Sequence, residues 1–333
     1  MISTGPTPRR ALVCGVSGQD GAYLAKFLLD KEYEVFGSSR NAQTTTFSNL
    51  QELGIFDKIR KESINPADFC SVSEALLRIR PDEIYNLSGQ SSVSLSFQQP
   101  FETLESIATA TLNFLEAIRH SGLNTRFYNA ASGECFGETG TEAANESTPF
   151  RPRSPYAAAK AAAFWEVALY RECYDLYACS GISFNHESPL RSDRFVSKKI
   201  IAAATRIARG SVEVLELGNL KIHRDWGWAP DYVDAMWRML QHQSAGDYVI
   251  ATGVTFSLEE FLDCAFSHFG LDWHEHVRTS EILSRPADIA ELRGDATKAK
   301  EKLGWTAQHT MPAIAEMMLA VEERVDGKLS AFN

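Results

Sequence analysis

In Tyr156-Ala157-Ala158-Ala159-Lys160 a phenol and an ammonium stand one turn apart on one face of a helix. A neighbouring cation stabilises phenolate, so this tyrosine can exchange a proton with a substrate hydroxyl near neutral pH. The three intervening alanines are small enough for a cofactor to lie close to that helix. Tyr-x3-Lys alone is common by chance, but here it has company. Upstream, an apolar run ends in Ser132-Gly133-Glu134. A serine there can bond the same substrate oxygen and relay its proton to Tyr156. Glu134 adds a base that simple alcohol oxidation does not need. No third ligand accompanies His274-Glu275-His276, which reads as an exposed loop, and no metal site is expected.

A second group lies at the start of the chain, where Ala11–Gly15 runs into Gly15-Val16-Ser17-Gly18-Gln19-Asp20-Gly21. Glycines between a strand and a helix serve a tight turn, close approach of backbone to a pyrophosphate, and close helix–strand packing. The reading is a dinucleotide site, with Asp20 organising the turn. The next strand ends in Ser38-Ser39-Arg40 with no carboxylate to meet a ribose hydroxyl, and an arginine there suits the extra phosphate of NADP.

Alternating elements must position these groups. Strands are expected at Ala11–Gly15, Glu34–Ser39, Glu83–Leu87, Arg126–Ser132 and Tyr177–Phe184, with helices at about Gly21–Lys31, Ser71–Ile79, Leu104–His120 and Tyr156–Tyr174. Such βαβ units make an α/β fold with a doubly wound parallel sheet, whose chemistry sits at the carboxyl ends of its strands. After Asn185 the rhythm breaks into loops rich in Arg, Lys, Asn and Trp (185–199 and 218–230) with helices interspersed and a strand at Asp247–Thr252. Residues 1–184 are therefore expected to bind the dinucleotide and 185–333 to form mainly a smaller α/β substrate lobe, with the chain returning to the first part around 218–255. Trp226 and Trp228 are expected to border the cleft in part, and Trp237 to lie in the core.

Bulk composition sets the limits. The 333 residues are 44% hydrophobic and 23% charged, ordinary for a globular chain. With 33 Lys and Arg against 43 Asp and Glu the formal charge is −10, which repels nucleic acid and anionic membranes, so a phosphate-bearing ligand needs a local cationic pocket. Six cysteines without CxxC spacing read as reduced thiols. No apolar run approaches the roughly 18 residues that span a bilayer, and MISTGPTPRR lacks a signal-peptide core, so a cytoplasmic protein is expected.

Longer motifs now add a family resemblance. The Gly15–Gly21 turn, Tyr85-Asn86-Leu87-Ser88-Gly89-Gln90-Ser91, the Ser132/Glu134 pair and Thr148-Pro149-Phe150-Arg151-Pro152-Arg153-Ser154-Pro155-Tyr156 all resemble GDP-mannose 4,6-dehydratases. So do Phe184-Asn185-His186-Glu187-Ser188-Pro189, Gly218-Asn219-Leu220, Arg224-Asp225-Trp226-Gly227 and Arg285-Pro286, over about residues 11 to 325. The resemblance implies a Rossmann-type fold and an NADP-dependent lyase in which Ser132 takes the place of the family's threonine beside Glu134, Tyr156 and Lys160. It implies cofactor contacts at Gly15, Ser17, Gly18, Gln19, Asp20, Gly21, Arg40, Asn65, Leu87, Ser88, Gln90, Tyr156 and Lys160. The GDP-sugar would be held by Ser91, Asn185, Lys199, Gly218, Asn219, Arg224, Arg285 and Asp288, and His186 would fix its loop by hydrogen bonds. In the implied reaction Tyr156 takes the C4 hydroxyl proton as hydride leaves C4 for NADP+. Glu134 then removes the C5 proton as water departs from C6, and the hydride returns to C6. A homodimer or homotetramer, paired through helices that include the Tyr156 helix, is implied as well.

The chain departs from the family pattern in several places. Gly133 stands where a hydroxyl-bearing residue is usual, Asn65 where an Asp contacts adenine, and Ser192 where the family has glycine. Arg40-Asn41-Ala42-Gln43 lacks paired arginines, and Asp288 and Ala290 replace a Glu and an Asp. These leave the reaction type standing and keep other readings open: a dehydratase of another GDP-sugar such as a GDP-heptose, a GDP-4-keto-6-deoxy-sugar reductase or epimerase, or an NADP-sensing binding protein.

Overall fold

The computed structural model describes residues 8–283 and 286–330, with side chains to residue 324. Seven strands form one wholly parallel sheet: β1 (Arg10–Cys14), β2 (Glu34–Ser39), β3 (Arg60–Ser63), β4 (Glu83–Asn86), β5 (Arg126–Ser132) and β6 (Ala178–Ser183), with Tyr248–Ile250 at one edge beside β6. β1 lies between β2 and β4, so the winding direction reverses beside it. Leu12, Val13, Tyr85 and Tyr128 are buried because helices cover both faces, the reason these strands read as continuous apolar runs. The Gln19–Asp30 and Ala229–Gln241 helices cover one face, and the Phe69–Ile79, Ala110–Ser121 and Pro155–Tyr174 helices the other.

The chain leaves this sheet abruptly. β6 ends at Ser183 and β7 (Asn185–Glu187) joins a second sheet, with β8 (Leu215–Leu217) nearby and β9 (His223–Trp228) as the strand that β7 pairs with in parallel. Tyr248–Ile250, β10, returns to the large sheet. β11 (Thr255–Ser257) then pairs with β9, β12 (Val277–Thr279) with β8, and β13 (Glu291–Leu292) with β9. Trp226, Phe261 and Phe266 centre a second core, closed by the Val196–Ala208, Leu258–Ser267 and Met311–Ser330 helices.

Three expectations need correction. β3 was not foreseen because its sequence, Arg-Lys-Glu-Ser, is that of an exposed edge strand without an apolar face. The segments at 185–199 and 218–230 hold β7, β9 and the start of a helix rather than loops alone. Their polar residues Arg224 and Asp225 are buried, which hides the alternation a strand normally shows. The helix expected at Leu104–His120 is interrupted: Pro100–Leu104 is α-helical, Glu105–Thr109 is a π turn, and Ala110–Ser121 is α-helical again.

Candidate active site

A cleft of about 880 Å3 opens at the carboxyl ends of β4, β5 and β6 and is roofed by the second sheet. Each catalytic candidate reaches it by a local device. Ser154 caps the Tyr156 helix by accepting the Ala157 N–H at 3.1 Å, and Pro155 occupies its first position. Ser132 ends β5 and accepts the Glu134 N–H at 3.3 Å, turning Gly133–Phe136 into one 3-10 turn that brings Glu134 to the cleft. Burial raises the Tyr156 phenol well above its ordinary value, and a hydrogen bond from Ser132 opposes that rise. The Lys160 ammonium donates to the Ala130 carbonyl at 2.6 Å and lies 5.8 Å from the centre of the Tyr156 ring; burial pulls it down to about 8. Ser132, Glu134, Tyr156 and Lys160 all line the cleft.

The glycine turn is shaped for backbone contact. Gly15 has φ +80, and a Cβ there would stand 2.8 Å from the Leu87 carbonyl oxygen. At Gly21 a Cβ would overlap the Gly15 carbonyl. The Gln19–Asp30 helix begins at Gly18 without a side-chain cap, leaving its first N–H groups for a ligand. Gly15, Ser17, Gly18 and Gly21 thus make a cradle whose geometry fits a diphosphate. The Gln19 and Asp20 side chains face inward instead. Gln19 donates to the His186 carbonyl at 3.1 Å and accepts from Ser188 at 2.7 Å, while Asp20 accepts from His186 Nε2 at 2.9 Å. Burial pushes the Asp20 carboxyl up, but the His186 charge and hydrogen bond outweigh it and hold it at about 2. Burial pulls His186 down, and Asp20 more than reverses that, raising it above 6.5. His186 Nδ1 donates to the Phe184 carbonyl at 2.7 Å, so the imidazole pins β7 to the glycine turn.

Leu87, Ser88, Gln90, Ser91, Asn185 and Lys199 line the cleft, as do Gly218, Asn219, Arg224 and Asp288. Of the predicted cofactor contacts, Gly15, Ser17, Gly18, Gln19, Gly21, Arg40 and Asn65 do not border it. Arg40 follows Ser38, whose carbonyl accepts the Gly15 and Val16 N–H groups. Its side chain is 78% exposed and meets Glu102 at 3.7 Å. Asn65 is exposed beyond β3 and closes a local turn on the Ala67 N–H. Arg285 lies outside the described residues. Trp226 is 1% exposed and borders the cleft from the second core, whereas Trp228 packs on His309 and Trp237 on Phe27, both away from it. His274 is exposed on a short helix, bonded to Asp272 and stacked on Trp273. Among the described residues no group of His, Cys, Asp and Glu is arranged to hold a metal ion.

Sequence reasoning missed Arg191. Its guanidinium pairs with Glu187 at 3.1 Å, lies 3.6 Å over the Phe195 ring and lines the cleft near Asp20 and Tyr156. The only signal was its place just after Asn-His-Glu-Ser-Pro. Nor is the cleft a cationic pocket by count among the described residues. Lys160, Arg191, Arg194, Lys199 and Arg224 are matched by Asp20, Glu134, Glu187, Glu216 and Asp288, with His186 in addition.

A parallel sheet with a glycine cradle at its switch point and a Ser–Glu–Tyr–Lys set beside it defines a short-chain dehydrogenase-type nucleotide-sugar protein. The model of the GDP-mannose 4,6 dehydratase family matches residues 12–318, and the chain belongs to that family. GDP-mannose 4,6 dehydratase 2 of Arabidopsis thaliana is 44% identical, over 95% of this chain and 88% of its own length. GDP-mannose 4,6-dehydratase of Vibrio cholerae is 39% identical over 93% of each. The UDP-glucose 4-epimerase of Thermus thermophilus, solved with NAD, superposes with a TM-score of 0.80 at 25% identity, covering 93% of this chain and 98% of that one. RMD from Pseudomonas aeruginosa, solved with NADPH, gives 0.79 at 22%, covering 96% and 98%.

Proposed function

We propose that this protein is a GDP-mannose 4,6-dehydratase, a lyase that binds a nicotinamide dinucleotide and makes a 4-keto-6-deoxy sugar nucleotide. The observation that carries the reading is Glu134: a base facing the same cleft as Ser132, Tyr156 and Lys160, in a chain of this family. The glycine cradle would hold the cofactor diphosphate and Lys160 the nicotinamide ribose. When bound, the nicotinamide would supply reversible hydride chemistry. The chain's own groups move the protons. Tyr156 accepts the C4 hydroxyl proton while Ser132 hydrogen-bonds the same oxygen, and the Lys160 charge offsets the phenolate. Glu134 takes the C5 proton, acidified by the C4 ketone, and passes it to the departing C6 hydroxyl, which leaves as water; the proton that Tyr156 took from the C4 hydroxyl then replaces the one lost from C5. Asn185, Lys199, Gly218, Asn219, Arg224, Asp288 and Arg285 would grip the sugar nucleotide, Ser91 with them.

Arg40 supports NADP over NAD. Its ion pair with Glu102 is exposed and weak, so the guanidinium is available to a 2′-phosphate. Residues 1–184 would carry the cofactor and catalytic groups, 185–333 mainly the sugar nucleotide, in the cytoplasm. Phe101, Leu104, Trp165 and Leu169, 87%, 50%, 62% and 53% exposed on adjoining helices, supply an apolar face for a second copy of the chain. Light scattering should then give at least twice 37.0 kDa, and Trp165→Glu should lower it.

The decisive experiment incubates the protein with GDP-mannose and catalytic NADP+, followed by mass spectrometry of the sugar nucleotide. Loss of one water with no net cofactor reduction is expected. An unchanged sugar with a tightly held dinucleotide would defeat the substrate assignment.

A further inference from the structure

The π turn at Glu105–Thr109 lies outside the cleft, yet it touches both halves of the chemistry. On one side it meets the loop after β4. Gly89, at φ +114, passes so close that a Cβ there would stand 2.8 Å from the Ser106 carbonyl oxygen and 3.0 Å from Ile107. The next residue, Gln90, donates its backbone N–H to Ser106 Oγ at 3.2 Å and its side-chain amide to Thr103 Oγ1 at 3.3 Å and to the Ser92 carbonyl at 2.8 Å. On the other side Ile107 is buried against Ala159 and Ala163 of the Tyr156 helix and against Tyr156 itself. Its carbonyl accepts from Thr111 Oγ1, which in turn accepts from Asn86 at the end of β4.

A π turn places one more residue in the turn than an α-helix does. Here the two neighbours Ser106 and Ile107 point to different partners. One grips the Gly89–Gln90 backbone and the other backs the catalytic helix. The extra residue shifts the side chains that follow it relative to the α-helical register, between the Gly89–Gln90 contact and the Ile107 contact.

We propose that Thr103 and Ser106 are positioning residues for the nicotinamide dinucleotide. They set the Gly89–Gln90 loop at the cleft, and the π turn couples that loop to the Tyr156 helix through Ile107. This rests on the reading of the cleft as a nicotinamide-dinucleotide site.

The test measures NADP+ dissociation constants by calorimetry for wild type, Ser106→Ala, Thr103→Val, Thr103→Ser and Thr109→Ala, together with kcat and KM for both ligands. Each of the first two variants removes one hydrogen bond to Gln90. The NADP+ Kd should rise about 5- to 10-fold in each, with kcat at saturating cofactor changed less than about twofold. Thr103→Ser keeps the hydroxyl and should recover most of the affinity. The exposed Thr109 makes no bond to the loop, so Thr109→Ala should match wild type. Ile107→Ala should act in the opposite sense, lowering kcat with little change in Kd. Variants that melt earlier but bind NADP+ as wild type does would overturn the inference, leaving the π turn a purely structural feature. A wild-type protein that binds neither NADP+ nor NAD+ would defeat the reading of the cleft itself, and that result is seen before any variant is made.

Discussion

Gly133 stands under a constraint of packing as well as of chemistry. Its departure from the family pattern looks like a missing donor, but a Cβ there would meet three atoms of the Phe184 ring at 3.1 Å, and one at Gly294 would press the same ring from another side. The absence of a side chain is therefore also a packing requirement. Gly133→Ser should destabilise the protein by about 1–2 kcal/mol, seen as a lower urea midpoint; an unchanged midpoint would show that the ring yields freely. Glu134→Gln should cut dehydration by at least about a hundredfold while NADP+ affinity stays within a factor of about two, measured by product mass spectrometry and calorimetry. The Asp20–His186 pair gives a pH signature. Asp20 is depressed, so its contribution is full above 3.8 and is lost as pH falls toward about 2. His186 is raised, so its contribution is full below 6.5 and is lost as pH rises through its elevated value. His186→Gln should therefore cost most, about 2–3 kcal/mol, between roughly pH 4 and 6.5, and the gap in melting temperature should narrow at higher pH.

Apart from the polar edge strand β3, the strands of the large sheet were legible because parallel strands buried on both faces leave uninterrupted apolar runs. Glu34–Ser39 and Arg126–Ser132 were read to the residue. The small sheet was not, because β9 hides behind buried polar residues whose partners lie far off in sequence. Asp225 is the example. It accepts from the Thr252 N–H at 2.9 Å, the Thr252 hydroxyl at 2.7 Å and the Gly253 N–H at 2.8 Å, clamping β9 to the turn that follows β10. Burial nonetheless raises its carboxyl to about 6. Asp225→Asn would set an amide N–H2 against one of these donors, and a drop of several degrees in melting temperature is expected, reported by scanning calorimetry. The π turn was equally invisible, since neither it nor its close approach to Gly89 is encoded in any periodicity. That Ser132, Glu134, Tyr156 and Lys160 belong together was legible from local spacing, and all four line one cleft, whereas Arg191 and the turn of Gln19 and Asp20 toward β7 needed the β7 contact to be seen.

At the scale of the whole molecule, the formal charge of −10 surrounds a cleft in which the charges of the described residues nearly cancel. An anionic sugar nucleotide therefore approaches against a repulsive long-range field and gains attraction only at contact. Raising ionic strength from about 10 to 150 mM shortens the screening length from about 30 to 8 Å and should leave its KM unchanged or lower. A steep rise would show that the cationic side chains dominate the approach. The chain passes between the two sheets at Ser183–Asn185, at Trp228–Ala229 and again between Ile250 and Thr255, with almost no spacer at the first two. The second sheet and its core are thus not a detachable cassette. Exchanging them with those of a relative would mean cutting and rejoining several seams at once, so new substrate preferences in this architecture are to be sought by altering single positions in the cleft rather than by recombination.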